Sequence, residues 1–217
     1  MVINTLLRNA EHDALKRVTL SGTVLDLGGD RRSDYQSVFN GTYTLTTLNA
    51  DKNAEPDIVH DLETPLPIEK SSFDNVLLIN ILEHIFNYRE LLAESARVLK
   101  HGGQSVIVVP FLFPAHPSPS DYRRFTGEAL RAELEVLGFE NIKITPLGGG
   151  VFSACYLLID RLMPWLLRFL SYYSVRYLAV LLDGVLVRVA RMLKKKYVPS
   201  DYALGYCVTA KKPSVPR

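Results

Sequence analysis

"FDNVLLIN", residues 73–80, is almost continuously apolar, and it restricts the fold more tightly than any other stretch of the chain. A strand with one wet face alternates apolar and polar side chains. A run without alternation reads as a strand buried on both faces. "QSVIVVP", 104–110, repeats the pattern. Between the two, "NYRELLAESARVLK", 87–100, places apolar residues at 91, 92, 96 and 99 and stops at "HGG", which reads as a helix with a glycine C-cap.

The alternation extends in both directions. A helix is expected over 5–18, ahead of a strand at 23–27, "TVLDL". A short helix through "SDYQSVF" and strands at 42–48 and 57–62 follow. Beyond 110, "GEALRAELEVLGF" reads as a helix, "ENIKIT" as a strand and "ALGYCVTA", 203–210, as the last strand. Strands and helices at this spacing predict an open, mostly parallel α/β sheet, whose ligands bind outside the carboxyl ends of the strands.

With 217 residues the chain can build one good-sized core, and 47% apolar with 22% charged residues is ordinary for a folded domain. A net charge of +2 gives no basis for nucleic-acid binding. Cys155 and Cys207 have no metal-ligand spacing. They read as reduced core thiols, which fits a cytoplasmic setting, and no metal is expected. The first 17 residues contain acids and lack a long apolar core, so they do not read as a signal peptide. No uninterrupted apolar span reaches about 18 residues, the length a membrane-crossing helix requires.

"VLDLGGD", 24–30, delivers a glycine turn from the end of the first strand. A dinucleotide loop needs G-x-G-x-x-G, which "GGDRRS" does not supply, and Asp30 would repel a phosphate. A cationic or zwitterionic ligand tolerates that acid better.

"VLDLGG", "PDIVHDLETPLPIEKSSFDNVLLINILEHI", "LLAESARVLKHGG" and "VIVVPFLFPAHPSPSDYRRFT" occur in this order. Together they resemble the class I S-adenosylmethionine-dependent methyltransferases of the type 11 group, over about residues 20–145 and the final strand. The resemblance implies a doubly wound, mostly parallel Rossmann-like sheet with S-adenosyl-L-methionine as cofactor. By that resemblance Asp26, Gly28 and Gly29 lie beside the methionine part. Asn49 stands where the family has a ribose-binding acid, with Asp51 as a nearby substitute. Asp61 matches the position facing the adenine amino group and Leu62 the one packing on the ring. Asn80 and Ile81 match residues facing the methionine moiety.

Methyl transfer needs orientation, and a base if the acceptor is a hydroxyl. Glu83 and His84 follow the strand ending at Asn80, and the resemblance places them near the acceptor; the plainer reading is that they open a helix. "PFLFPAHPSPSDYRRFT", 110–126, gathers His116, Asp121, Tyr122, Arg123 and Arg124 on a proline-rich loop. Such a loop suits substrate binding, although a solvated crossover would look similar. His84 and His116 are equal candidates for the base, and Arg123 or Arg124 for holding an anionic acceptor.

Residues 150–197 break the alternation with an apolar, aromatic and basic helical insertion between a core of 1–149 and 198–217. Three covers fit it: a membrane surface, a second subunit in a homodimer, or the protein's own active site. The first would place the protein peripherally at the inner face of the membrane. The acceptor expected is a small-molecule or lipid-linked hydroxyl on a saccharide or natural product, with a quinone or polyketide-like hydroxyl as runner-up. A non-catalytic binding protein with the same fold is the rival class.

Overall fold

The structure, a computed structural model, describes residues 5–30, 33–160 and 174–214. Seven strands form one sheet in the order β3-β2-β1-β4-β5-β7-β6. They are β1 (Thr19–Leu27), β2 (Asn40–Asn49), β3 (Ile58–Val59), β4 (Phe73–Ile79), β5 (Leu99–Pro110), β6 (Glu140–Leu147) and β7 (Gly205–Lys211). The first five run parallel; β7 alone is antiparallel, inserted between β5 and β6. Strand order reverses between β1 and β4, which is where an open parallel sheet leaves a crevice for a ligand.

Both faces of the sheet are covered, as the unalternating runs require. Val76 and Leu78 face one core with Leu25, Leu27, Leu91 and Leu92, while Leu77 and Ile79 face another with Leu6, Leu7, Leu15 and Tyr156. Each fully buried leucine contributes about 1.5–3 kcal/mol relative to an exposed one. The sheet centre is therefore the rigid element from which the loops project.

Helix α1 (Leu6–Leu15) starts at Thr5, whose hydroxyl accepts the Arg8 amide at 3.1 Å. Helix α2 (Tyr88–Val98) ends without a glycine cap. Leu99 turns directly into β5 and pairs with Phe73, so the expected end at residue 100 and the cap at "HGG" give way to strand pairing. Helix α3 (Gly127–Val136) begins at Thr126, whose hydroxyl accepts the Ala129 amide and fixes the end of the long loop after β5. The expected strand at 57–62 shrinks to Ile58–Val59, because Asp57 meets β2 through its side chain, at Thr47, and a turn from Asp61 to Thr64 closes the other end. "SDYQSVF" forms a 3-10 turn over Asp34–Val38.

In the insertion, helix α4 (Val151–Asp160) buries Ala154, Tyr156 and Leu157 against α1 and the sheet, so this part belongs to the core. Cys155 is exposed there, contrary to the core reading; Cys207, on β7, is buried. Helix α5 (Val175–Met192) buries only Ala179, Asp183 and Ala190. Asp183 accepts the amides of Phe152 and Ser153, both at 2.9 Å, and so caps α4 from another helix. Residues 161–173, including Trp165, lie outside the described residues. Among the described residues no helix is long and apolar enough to cross a membrane.

Candidate active site

The glycine turn sits on a buried charge. Asp26 is fully buried at the end of β1 and accepts hydrogen bonds from the Tyr35 hydroxyl at 3.0 Å and the Gln36 amide at 3.1 Å. Gly28 holds φ +86°, and a Cβ on Gly29 would lie 2.2 Å from the Asp26 carboxylate, so the chain passes where only glycine fits. Asn49 donates to the carbonyl of Gly28 at 2.8 Å and accepts the Asp51 amide at 3.0 Å. Its side chain thus ties the end of β2 to the glycine loop. Asp51 is exposed and accepts from Asn53; Asp61 is exposed and accepts the Glu63 amide. Leu62 is buried at the edge of the loop after β3, in the same core cluster as Leu25 and Leu48.

Burial raises the Asp26 carboxyl to about 6, the two hydrogen bonds offsetting only part of the effect. A carboxyl whose pKa rises from 3.8 to about 6 on folding favours the folded state below pH 4. That advantage disappears as pH rises through 6, about 3 kcal/mol in total. Denaturation of the wild type and Asp26→Asn from pH 4 to 7.5 should show their stability difference changing by that amount, with the wild type losing ground as pH rises. A constant difference would mean that Asp26 does not titrate in this window.

Asn80 ends β4 at φ +51°, and its side-chain amide donates to Glu11 Oε1 at 3.1 Å. Glu11, on α1, is 2% exposed, and burial raises its pKa. It joins the site from a helix expected over 5–18, none of whose residues the sequence marked as functional. The available signal was an acid on the apolar stripe, four residues after Leu7 and four before Leu15. Ile81 packs beside Gly28, within 2.7 Å of where a Cβ would stand.

Next come Glu83 and His84, in a 3-10 turn over Leu82–His84 that replaces the longer helix of the plainer reading. Glu83 is completely buried, and neither carboxylate oxygen accepts a hydrogen bond among the described residues. Its Oε1 lies 3.7 Å from His84 Nε2 and 3.8 Å from His116 Nε2. The two imidazoles meet edge to face, 5.0 Å between centroids. Glu83 is the main reason that the His116 pKa is raised.

The loop 110–126 brings His116 to Glu83 because it is stitched to residues 81–86. Tyr122 donates its amide to the Glu83 carbonyl at 2.8 Å, and His84 Nδ1 meets the Ser120 carbonyl at 2.5 Å. Arg123 donates to the carbonyls of Ile85 and Phe86 and stacks over Tyr88 at 4.3 Å. Arg124 grips Asp121 in two hydrogen bonds, which hold the Asp121 carboxyl far below its ordinary range, and also reaches the Phe113 and Pro114 carbonyls. Asp121 in turn accepts the His116 amide at 2.8 Å. Both guanidinium groups expected to hold an anionic acceptor are therefore engaged in bracing the loop. Tyr122, 48% exposed, is the candidate that faces outward.

Chemically, the carboxyl edge of β1, β2 and β4 offers a glycine cradle and two buried acceptors that lack donors among the described residues, Asp26 Oδ1 and Asn80 Oδ1, while Glu11 Oε2 beside Asn80 is already paired with Arg8 at 3.2 Å. Those acceptors fit a ligand with cationic groups, such as the ammonium and sulfonium of S-adenosyl-L-methionine.

The family model described as "Methyltransferase domain" matches residues 37–107, which spans β2 to β5 and leaves the glycine loop and His116 outside the match. The O-methyltransferase rstn1 of Aspergillus nomiae is 33% identical over 92 residues, 38% of this chain and 41% of that protein. The chain spans less than half the length of the curated relatives it matches. Among solved structures, phosphoethanolamine N-methyltransferase 2 of Haemonchus contortus in complex with S-adenosyl-L-methionine is 19% identical. It superposes with a TM-score of 0.58 over 94% of this chain and 52% of that one. The putative methyltransferase bound to its Trm112 activator from Haloferax volcanii is 17% identical, with a TM-score of 0.61 over 96% and 90%. These likenesses identify the fold as the Rossmann-like fold of S-adenosylmethionine-dependent methyltransferases and bear out the resemblance read from the sequence.

Proposed function

We propose that this chain, which carries the class I methyltransferase fold, transfers a methyl group from S-adenosyl-L-methionine to a hydroxyl oxygen. The observation that carries this reading is the Glu83, His84 and His116 cluster beside the glycine cradle. A hydroxyl has to lose its proton as it attacks, whereas a neutral amine needs no base before attack. Paired imidazoles over a buried carboxylate supply proton acceptors at the carboxyl end of β4, where the acceptor must lie.

Bound cofactor supplies an electrophilic methyl group on a sulfonium. Gly28 and Gly29 would admit its methionine end, with Asp26 beneath them and Asn80, held by Glu11, facing its cationic groups. Asn49, Asp51, Asp61 and Leu62 would surround the nucleoside. His84 and His116 hold their Nε2 atoms toward one point near Glu83 and are placed to take the acceptor proton. One of these imidazoles would take the acceptor's proton as its oxygen receives the methyl group, which the cofactor would supply with its sulfur as the leaving group. The match to an O-methyltransferase over 92 residues agrees with an oxygen acceptor. A saccharide, lipid-linked or natural-product hydroxyl is the acceptor class favoured, ahead of a quinone or polyketide-like one. Calorimetric titration with S-adenosyl-L-methionine and with its demethylated product should show binding to one site per chain. Absence of binding at millimolar cofactor would favour a non-catalytic protein with this fold.

A lipid-linked acceptor gains support from α5. Tyr177, Leu181, Met192 and Leu193 are 63%, 59%, 82% and 62% exposed, alongside exposed Arg188, Arg191 and Lys194 to Lys196. An apolar face with a basic end suits the surface of an anionic membrane better than water. The protein should sediment with anionic liposomes, less so as salt rises, and replacing Lys194, Lys195 and Lys196 with Gln should weaken this further, at about 1 kcal/mol per charge. A stable dimer that ignores liposomes would instead assign the face to a subunit interface.

A further inference from the structure

We propose that Glu83, His84 and His116 form a site for one divalent transition-metal ion of the zinc class, resting on the reading of this cluster as the acceptor pocket. One ligand atom from each residue lies within 4.8 Å of the others, with the two carboxylate-to-imidazole distances at 3.7 and 3.8 Å. Ligands about 2.1 Å from a tetrahedral ion stand about 3.4 Å apart, so shifts of a few tenths of an ångström close the carboxylate side.

Three further observations favour an ion at this point. First, Glu83 is 0% exposed and its oxygens accept no hydrogen bond among the described residues. A buried carboxylate so placed calls for a positive partner. Second, the orientation of both imidazoles is fixed from behind. His84 Nδ1 faces the Ser120 carbonyl at 2.5 Å and His116 Nδ1 the Pro114 carbonyl at 3.1 Å. A carbonyl only accepts, so the Nδ1 atoms are turned outward to the backbone, and in both rings Nε2 is the nitrogen that faces Glu83. Metal-binding histidines are held in the same way by their outer neighbours. Third, the loop that carries His116 is locked by the Asp121 and Arg124 pair, so the ligand set is held in place before any ion arrives.

Two nitrogens and one oxygen suit zinc and its neighbours, whereas magnesium and calcium favour all-oxygen sets. Three protein ligands leave a fourth position open. His116, the most exposed of the three at 25%, marks the way in from solvent. An acceptor hydroxyl in the open position would release its proton to water more readily, with both imidazoles serving as ligands while the ion is bound. Without the ion they remain the proton acceptors described above.

The full chain, stripped with a chelator, is titrated with Zn2+, Co2+ and Mg2+ by calorimetry, and Co2+ binding is followed by visible absorption. The expected result is one Zn2+ per chain at micromolar or tighter affinity, a visible Co2+ band, and Mg2+ binding weaker by at least about 100-fold. Glu83→Gln and His116→Ala should each weaken Zn2+ binding by about 100-fold or more and remove the Co2+ band. Melting curves establish that each variant is folded; if one is not, the other decides. No Zn2+ binding at millimolar ion, or binding unchanged in a folded variant, overturns the site. Cofactor titration of the same samples separates the two readings: cofactor bound without Zn2+ overturns the metal site alone, and Zn2+ bound at this cluster without cofactor supports the site while removing the methyl-transfer reading.

Discussion

Gly29→Ala is expected to weaken S-adenosyl-L-methionine binding by at least about 100-fold, or about 2.7 kcal/mol. The added Cβ would stand 2.2 Å from Asp26 Oδ2, and that carboxylate cannot retreat because Tyr35 and Gln36 hold it in the core. The glycine loop must move instead, taking the cofactor cradle with it. Gly28→Val should be at least as damaging, since a β-branched residue at φ +86° is strained and its Cβ would meet Ile81 at 2.7 Å. Calorimetric titration beside a melting curve checks both variants. A folded Gly29→Ala protein that binds cofactor like the wild type would remove this loop from the cofactor site.

The second large effect is on turnover. His84→Ala and His116→Ala should keep cofactor affinity close to that of the wild type, while at least one lowers kcat on a hydroxyl acceptor by about 100-fold or more. His116 is the sharper test, because its ring approaches Glu83 while its backbone is held independently through Asp121. His84 also braces the loop through Ser120, so its removal should raise KM as well as lower kcat. Steady-state kinetics that separate kcat from KM decide the matter. Normal rates in both variants would leave orientation alone, or Glu83, to explain the reaction.

Much of the scaffold could be read in advance because its cause is local. Unalternating runs at 73–80 and 104–110 had to be strands covered on both faces, and the sheet buries them at its centre. The glycine turn after β1 was visible for a similar reason, since few residues tolerate such a backbone. Element ends were less legible. Residues 99 and 100 continue a helical pattern, yet pairing with β4 draws them into β5. The side-chain roles of the 110–126 loop were harder still, because Arg123 and Arg124 look alike in sequence whether they face a ligand or the backbone of a neighbouring turn.

By itself, then, the sequence determined the sheet, the glycine cradle and the candidate residues at its carboxyl edge, since hydrophobic period and backbone sterics act between near neighbours along the chain. Tertiary structure alone decided which of those residues meet. Asn80 finds Glu11 across 69 positions, and Asp183 caps a helix about 30 residues before it. Glu83 becomes a buried carboxylate facing two imidazoles only when the loop after β5 folds back over the end of β4. Such pairings depend on distances set by packing and on the removal of water, and neither quantity is written in the local order of residues.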